Sequence, residues 1–143
     1  MKTFLSLTAA AALVAAAAPA LAGDLEVELT GVKAHGGDIY ATLSTKETFM
    51  RAGSKVERTK PADGKVVLRF TDLPAGEYTF MAYHDENGDG QMQMSPMGMP
   101  GEGWAMLNAE KLMGPPDFET LKFTVPAEGA RIQVPVYYVS GGQ

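Results

Sequence analysis

Cysteine is absent from the 143-residue sequence, and this absence excludes several kinds of protein. No disulfide can staple the fold, so its stability must come from a hydrophobic core. No thiol can act as a nucleophile. The lipid anchor of bacterial lipoproteins, which needs a cysteine at the cleavage site, cannot form. Residues 23–143 are long enough for one domain with such a core.

Histidine is scarce, and the common catalytic motifs are missing. Only His35 and His84 occur, without the Gly-x-Ser-x-Gly motif of many hydrolases or the His-Glu-x-x-His motif of zinc peptidases. His84, Asp85 and Glu86 carry acid–base groups, but adjacent residues of an extended chain point in different directions. The sequence therefore predicts a protein that is not an enzyme.

Basic residues are fewer than acidic ones. Lys and Arg together number 12 and Asp and Glu number 17, which gives a net charge of −5. Nucleic acids and anionic lipids reward a basic face, so we expect neither as a partner. An acidic chain is compatible with cation binding, although it is also typical of an ordinary solvated surface. The expected partner is an unidentified protein or small ligand.

No apolar run is long enough to span a membrane. The longest, at residues 4–18, has about 15 residues, whereas a spanning helix needs about 20. Lys2 precedes this run, and Ala20-Leu21-Ala22 follows it with the small-x-small pattern of a signal-peptidase site. Residues 1–22 are therefore interpreted as a secretory signal peptide. We expect export to the periplasm of a Gram-negative cell, or secretion.

Short segments after the signal alternate apolar and polar residues, which is the period-2 pattern of half-buried strands. A weaker segment of this kind surrounds Val56, and no helical period occurs beyond a possible turn at 46–52. These features predict an all-β domain over residues 23–143, a single antiparallel immunoglobulin-like β-sandwich of about seven strands with one long loop. The clearest segments are 25–29, 39–43, 66–70, 78–82, 121–125 and 132–136.

Two turn signals fall between the predicted strands. Asp63-Gly64 is a short hairpin signal before the strand at 66–70. The run Leu-Pro-Ala-Gly-Glu-Tyr at 73–78 joins a proline that fixes φ to a glycine that permits a reversal. Tyr78 can then bond its hydroxyl back to the crossing backbone. This run predicts a structural corner between two strands.

Residues 85–118 lack the period-2 pattern and are rich in Gly, Pro and Met. A loop of this length is far above the usual connection and is the first place to look for a site. At its start, Asp85, Asn87 and Asp89 present side-chain oxygens at alternate positions before Gly90. This spacing matches the first half of a calcium loop.

The second half of that calcium pattern is missing. Pro96 stands where the bidentate glutamate should be, and no helix flanks the loop, so the sequence does not predict an EF-hand. A calcium site would need further oxygen ligands, and the alternative is a solvated Asn/Asp/Gly turn. The further candidates are the backbone carbonyl of Gln91 and the carboxylate of Glu86, Glu102 or Asp117.

Six of the nine methionines lie between Met92 and Met113. Thioether sulfur is a soft donor that favours Cu(I), and closely spaced methionines can reach one ion. Two alternatives stay open: the methionines fill space between the loop and the sandwich, or they form an apolar surface for a ligand or partner. The candidate copper ligands are Met92, Met94, Met97, Met99 and His84.

Three motifs follow the corner at 73–78: Tyr-His-Asp-Glu-Asn-Gly-Asp-Gly at 83–90, Met-Gly-Met-Pro-Gly-Glu-Gly-Trp at 97–104 and Gly-Pro-Pro-Asp-Phe at 114–118. In this order the motifs resemble the exported bacterial family called domain of unknown function 2141. The resemblance implies an exported β-sandwich of prealbumin-like or carboxypeptidase-regulatory type. It implies no catalytic residue, since the activity of that family is unassigned. The methionines look like a departure from the family pattern.

The leading hypothesis is a non-enzymatic exported β-sandwich that binds a ligand or partner or serves a structural role. In this hypothesis, calcium at residues 85–91 braces the surface formed by the long loop. The second hypothesis is a periplasmic metal-handling protein that binds Cu(I) through the methionines. An enzyme of unknown type ranks third.

Overall fold

The structure is a computed structural model, and it describes residues 22–139. The predicted signal peptide lies outside the described residues except for Ala22, which is the first residue of the first strand. Its cleavage therefore stays a prediction.

Eight strands account for about half of the described chain. The strongest alternation of buried and exposed residues is in β1, where Leu25, Val27 and Leu29 are fully buried and their neighbours are not. The strands are β1 (Ala22–Val32), β2 (Asp38–Ser44), β3 (Lys55–Thr59), β4 (Gly64–Pro74), β5 (Gly76–Asp85), β6 (Gly103–Met106), β7 (Phe123–Val125) and β8 (Ala130–Pro135).

The strands form two sheets, which confirms the predicted all-β sandwich. One sheet has the order β4-β1-β8, and the other has the order β3-β2-β5-β6, with β7 paired to the beginning of β5. Most pairs are antiparallel, but β1 and β8 run parallel, with Leu25 opposite Ala130. The core lies between the sheets, where Phe70 of β4 meets Phe80 of β5 edge to face at a centroid distance of 6.3 Å.

The hairpin predicted at Asp63-Gly64 is wrong. β3 pairs with β2 in one sheet and β4 pairs with β1 in the other, so the segment between them crosses from sheet to sheet. Asp63 instead contacts the connection between β1 and β2, where its carboxylate accepts a hydrogen bond from the backbone N–H of Ala34 at 2.7 Å. A two-residue turn signal specifies a reversal but does not identify the strand that becomes the partner.

The corner predicted at 73–78 is confirmed. The Tyr78 hydroxyl donates a hydrogen bond to the carbonyl of Pro74 at 2.6 Å, across the point where the chain leaves β4 and enters β5 in the other sheet. Burial raises the pKa of Tyr78, so the phenol keeps its donor proton throughout the neutral range.

The long segment 85–118 contains more regular structure than its sequence indicates. It includes β6, a 3₁₀ helix at Ala109–Lys111 and the start of a one-turn helix α1 (Phe118–Leu121). Asp117 caps α1 by accepting a hydrogen bond from the backbone N–H of Thr120 at 2.9 Å, so its carboxylate is used in the helix cap. No helix within residues 22–139 has the length and apolar character needed to cross a membrane.

Glu119 of α1 joins two exposed ion pairs. Its carboxylate lies 2.7 Å from the Nζ atom of Lys122 and 2.8 Å from that of Lys46. Hydrogen bonds from these two ammonium groups lower the pKa of Glu119 to about 2. They tie the helix to the turn that follows β2.

Candidate functional site

Most of the residues predicted to form a site lie at one end of the sandwich. β5 ends there at Asp85, β6 begins at Gly103, and β2 begins at Asp38, which pairs with Asp85. The connection between β1 and β2 packs against the same point, because the backbone of Gly36 and Gly37 closely approaches the carbonyls of residues 85 and 86. The loop 86–102 and the β1–β2 connection therefore meet at this end.

Asp85 closes the first turn of the loop. Its side chain is only 2% exposed, and its two carboxylate oxygens accept hydrogen bonds from the backbone N–H of Asp89 at 3.1 Å and of Gly90 at 2.9 Å. Gly90 has φ of 75°, a left-handed conformation that glycine adopts without strain. Asp85 thus shapes the turn predicted to hold calcium.

Asn87 and Asp89 continue the turn. The Asn87 side-chain oxygen accepts from the N–H of Asp89 at 3.0 Å, and Asp89 Oδ1 accepts from the N–H of Gln91 at 2.9 Å. Asp89 Oδ2 accepts from the Gln93 side-chain amide at 2.9 Å, the largest of the contacts that lower the pKa of Asp89. The structure therefore brings Asp85, Asn87 and Asp89 into one turn, with the backbone of Gln91 tied to it.

Glu102 lies behind the same turn and organises its backbone. It is 6% exposed, and its Oε1 atom accepts hydrogen bonds from the N–H groups of Glu86 at 3.0 Å and Asn87 at 3.4 Å. Its Oε2 atom accepts from the N–H of Gln93 at 3.1 Å. One buried carboxylate therefore connects the two ends of the segment 86–93.

The carboxylates of Asp85 and Glu102 are both buried, and neither forms an ion pair with a basic side chain in the part of the chain that the structure describes. Within residues 22–139, no ion pair includes Asp85 or Glu102. Within the described residues, their hydrogen bonds come from backbone N–H groups, and Arg58 attracts Asp85 over a longer distance, which contributes to the raised pKa of Arg58. Burying a charge is costly unless it is paired and hydrogen-bonded, so the burial of these two carboxylates depends on their backbone hydrogen bonds.

The methionines lie on an exposed hairpin. The N–H of Ser95 donates to the carbonyl of Met99 at 2.7 Å, and the N–H of Gly101 donates to the carbonyl of Gln93 at 2.7 Å. The exposed fractions are 38%, 57%, 89% and 55% for Met92, Met94, Met97 and Met99. The interpretation of these four as packing residues is therefore wrong, because backbone hydrogen bonds and Glu102 order the loop without them.

His84 occupies a different environment from the exposed methionines. It is 1% exposed, and its Nε2 atom donates to the carbonyl of Gly36 at 2.8 Å. Because Nε2 carries the proton, Nδ1 accepts the hydrogen bond from the Tyr138 hydroxyl at 2.9 Å. Burial raises the pKa of Tyr138. The ring of His35 lies beside that of His84 at a centroid distance of 5.0 Å.

Glu86 completes this second group. Its Oε2 atom lies 2.6 Å from His35 Nε2, and its Oε1 atom accepts from the backbone N–H of Gly103 at 2.8 Å. Burial acts to raise the pKa of Glu86, but the hydrogen bonds from His35 and Gly103 outweigh it and leave the pKa below the ordinary value.

Sequence reasoning did not group His35, His84, Glu86 and Tyr138, because His84 is 49 residues from His35 and 54 from Tyr138. The β2–β5 register, in which Ile39 pairs with His84, places the residues before β2 beside the end of β5, and no local pattern in the sequence specifies that register.

A family model described as an uncharacterized protein conserved in bacteria, DUF2141, matches residues 27–133. The match spans most of the chain and confirms the resemblance carried by the sequence motifs. No curated protein and no solved structure matches the chain. The family description assigns no ligand or reaction, so the function has to be inferred from the residues.

Proposed function

We propose that this chain, which belongs to the DUF2141 family of uncharacterized bacterial proteins, is a non-enzymatic exported binding protein. The loop 85–102 forms its surface for a protein or small ligand. Ca²⁺ bound by Asp85, Asn87, Asp89 and the carbonyl of Gln91 braces that surface. The pair of buried carboxylates at Asp85 and Glu102 without a basic partner is the observation that carries this proposal.

The local charge also supports a cation. The sequence contains no Lys or Arg from residue 70 to residue 110, although Asp85, Glu86, Asp89 and Glu102 all lie in the loop. A carboxylate oxygen that accepts one hydrogen bond keeps a second lone pair for a metal. Hard oxygen ligands on a flexible turn suit Ca²⁺, which takes six to eight of them.

The stabilisation expected from calcium can be estimated. Extracellular calcium modules bind with dissociation constants of about 0.1 to 1 mM. At about 10 mM Ca²⁺, binding of that strength adds about 1.4 to 2.7 kcal/mol to the free energy of unfolding. A thermal melt of residues 23–143 with and without Ca²⁺, at matched ionic strength in NaCl, measures this effect as a rise in the midpoint.

Asp89→Asn is the informative variant. It removes one charge from the site, and its side-chain oxygen can still accept from the N–H of Gln91. Because it loses the side-chain hydrogen bonds from Gln93 and Asn87, its midpoint with Ca²⁺ is compared with its own midpoint without Ca²⁺. We expect the calcium-dependent rise to be lost in Asp89→Asn and kept in the exposed control Glu110→Gln. A midpoint that does not respond to Ca²⁺, or that responds equally in Asp89→Asn, would overturn the calcium site.

A second candidate function is Cu(I) binding by the methionine hairpin. The exposure of Met92, Met94, Met97 and Met99 favours it, since their thioethers are open to an ion from solvent. Competition with a Cu(I) chelator under reducing conditions tests it, with these four changed to leucine and Met113→Leu as the matched exposed control. Equal affinity in the fourfold variant and in the wild type would exclude this function.

A further inference from the structure

We propose that His35, His84 and Glu86 form a binding site for one divalent transition-metal ion of the Zn²⁺ type. One ring nitrogen of each histidine and one carboxylate oxygen of Glu86 lie within 4.8 Å of one another. The site uses none of the four residues proposed above to bind calcium and none of the methionines, although the sequence offered Glu86 as a further calcium candidate and His84 as a copper candidate. It therefore does not depend on the function proposed above.

The donor set matches a known preference of zinc. Two imidazoles and one carboxylate form a three-ligand zinc site that leaves a fourth position for water or another ligand. Bonds of 2.0–2.2 Å place the ligands of a tetrahedral ion about 3.4 Å apart. His35 Nε2 and Glu86 Oε2 lie 2.6 Å apart as a hydrogen-bonded pair, so the ion must replace the shared proton and move these two atoms apart by about 0.8 Å. Ligand atoms that are separated by up to 4.8 Å must instead move closer together.

These movements are feasible because the ligands differ in their exposure to solvent. His84 is a buried residue of β5 and fixes one ligand. His35 lies in the β1–β2 connection with 44% of its side chain exposed, and the side chain of Glu86 is 29% exposed. The His35 ring can therefore turn towards an ion that enters from solvent.

Hydrogen bonds to the atoms that do not bind the ion orient His84 and Glu86, as they do for the ligands of known metal sites. Ligating histidines usually donate their second ring N–H to a carbonyl or carboxylate, and His84 donates from Nε2 to the carbonyl of Gly36. This leaves Nδ1 with the lone pair that an ion needs. Glu86 is oriented by the N–H of Gly103 on Oε1, which leaves Oε2 as the metal-binding oxygen.

Tyr138 competes with the ion. Its hydroxyl donates to Nδ1 of His84 and accepts from the backbone N–H of Lys33 at 3.1 Å. Zn²⁺ at Nδ1 must displace the first of these hydrogen bonds. Tyr138→Phe removes the competing donor, so this variant should bind Zn²⁺ as tightly as the wild type or more tightly.

The test is competition between residues 23–143 and a chromophoric chelator for Zn²⁺. We expect one equivalent to bind, with a loss of at least about tenfold in affinity for His35→Gln and for Glu86→Gln. His35 is exposed and Gln at position 86 can still accept from Gly103, so both variants should fold, as circular dichroism can verify. Asp89→Asn should leave the Zn²⁺ affinity unchanged, which separates this site from the calcium turn.

Imidazole NMR signals provide a second measurement, because His35 and His84 are the only histidines in the chain. Saturation with Zn²⁺ should shift both rings and leave neither free to titrate with pH. Failure to bind one equivalent would overturn the site. So would unchanged affinity in His35→Gln, a shift of one ring only, or weaker binding in Tyr138→Phe.

Discussion

Changing Glu102 to glutamine should destabilise the loop strongly, although the two side chains have nearly the same shape. The carboxylate accepts three backbone N–H groups, from Glu86, Asn87 and Gln93. Glutamine has only one acceptor oxygen, and its NH₂ group would face the remaining N–H. The variant therefore weakens the hydrogen bonds that it keeps and loses at least one of them.

The magnitude follows from these three hydrogen bonds. A bond to a charged acceptor contributes about 1.5–3 kcal/mol and a neutral bond about 0.5–1.5 kcal/mol, so two retained bonds lose about 2 kcal/mol together. An unpaired buried N–H costs about a further 1–3 kcal/mol. Relief of the cost of burying a charge offsets part of this loss. We expect the free energy of unfolding to fall by about 2–4 kcal/mol.

Urea denaturation followed by the fluorescence of Trp104, the one tryptophan of the chain, measures the global loss. Native-state hydrogen exchange reports the local effect, and the amides of Glu86, Asn87 and Gln93 should lose protection first. The exposed Glu110→Gln is the control and should change little. A loss below about 1 kcal/mol, or unchanged protection of the three amides, would refute the role of Glu102 as the brace of this loop.

Three further predictions test other parts of the structure. Tyr78→Phe removes the corner hydrogen bond and should cost about 1 kcal/mol in urea denaturation; no measurable loss would contradict its role. Gly103→Ala places a methyl group against the Tyr138 ring and should cost about 1–3 kcal/mol, with a shift of the His84 imidazole signal; an unshifted signal would show that the ring does not pack there. The pKa of Glu119 lies at about 2, below its unfolded value, so its stabilising effect is complete above the unfolded pKa and is lost as the pH falls through the folded pKa. NMR titration should show this low pKa rising towards the ordinary value in Lys122→Met and in high salt; a salt-independent pKa would contradict the ion-pair origin.

The parts of the fold that depend on local pattern could be predicted from the sequence. Alternation marked the cores of β1 and β2, and the 73–78 run marked the Tyr78 corner. Strand pairing could not be predicted in the same way. Asp63-Gly64 looks like a hairpin turn, yet β4 pairs with β1 because the sheets assemble through distant contacts. The parallel β1–β8 pair likewise joins the two ends of the domain.

The residues of the candidate site likewise divide into those that a local sequence pattern predicts and those that only the folded sheets bring together. Alternate oxygen side chains placed Asp85, Asn87 and Asp89 in one turn, because they are close in the sequence. The role of Glu102 as their brace depends on the β5–β6 pairing, which no local pattern specifies. The exposure of the methionines was also hidden, since methionine is common both in cores and at binding surfaces. His35 and Tyr138 meet His84 only after both sheets have formed.

An amide NMR titration of residues 23–143 with Ca²⁺ observes the proposed calcium-braced binding loop itself. We expect saturable shifts centred on residues 85–91, complete by about 10 mM Ca²⁺ and absent in Asp89→Asn. Amides of 85–91 that do not move over this range, or that move equally in Asp89→Asn, would contradict this proposal.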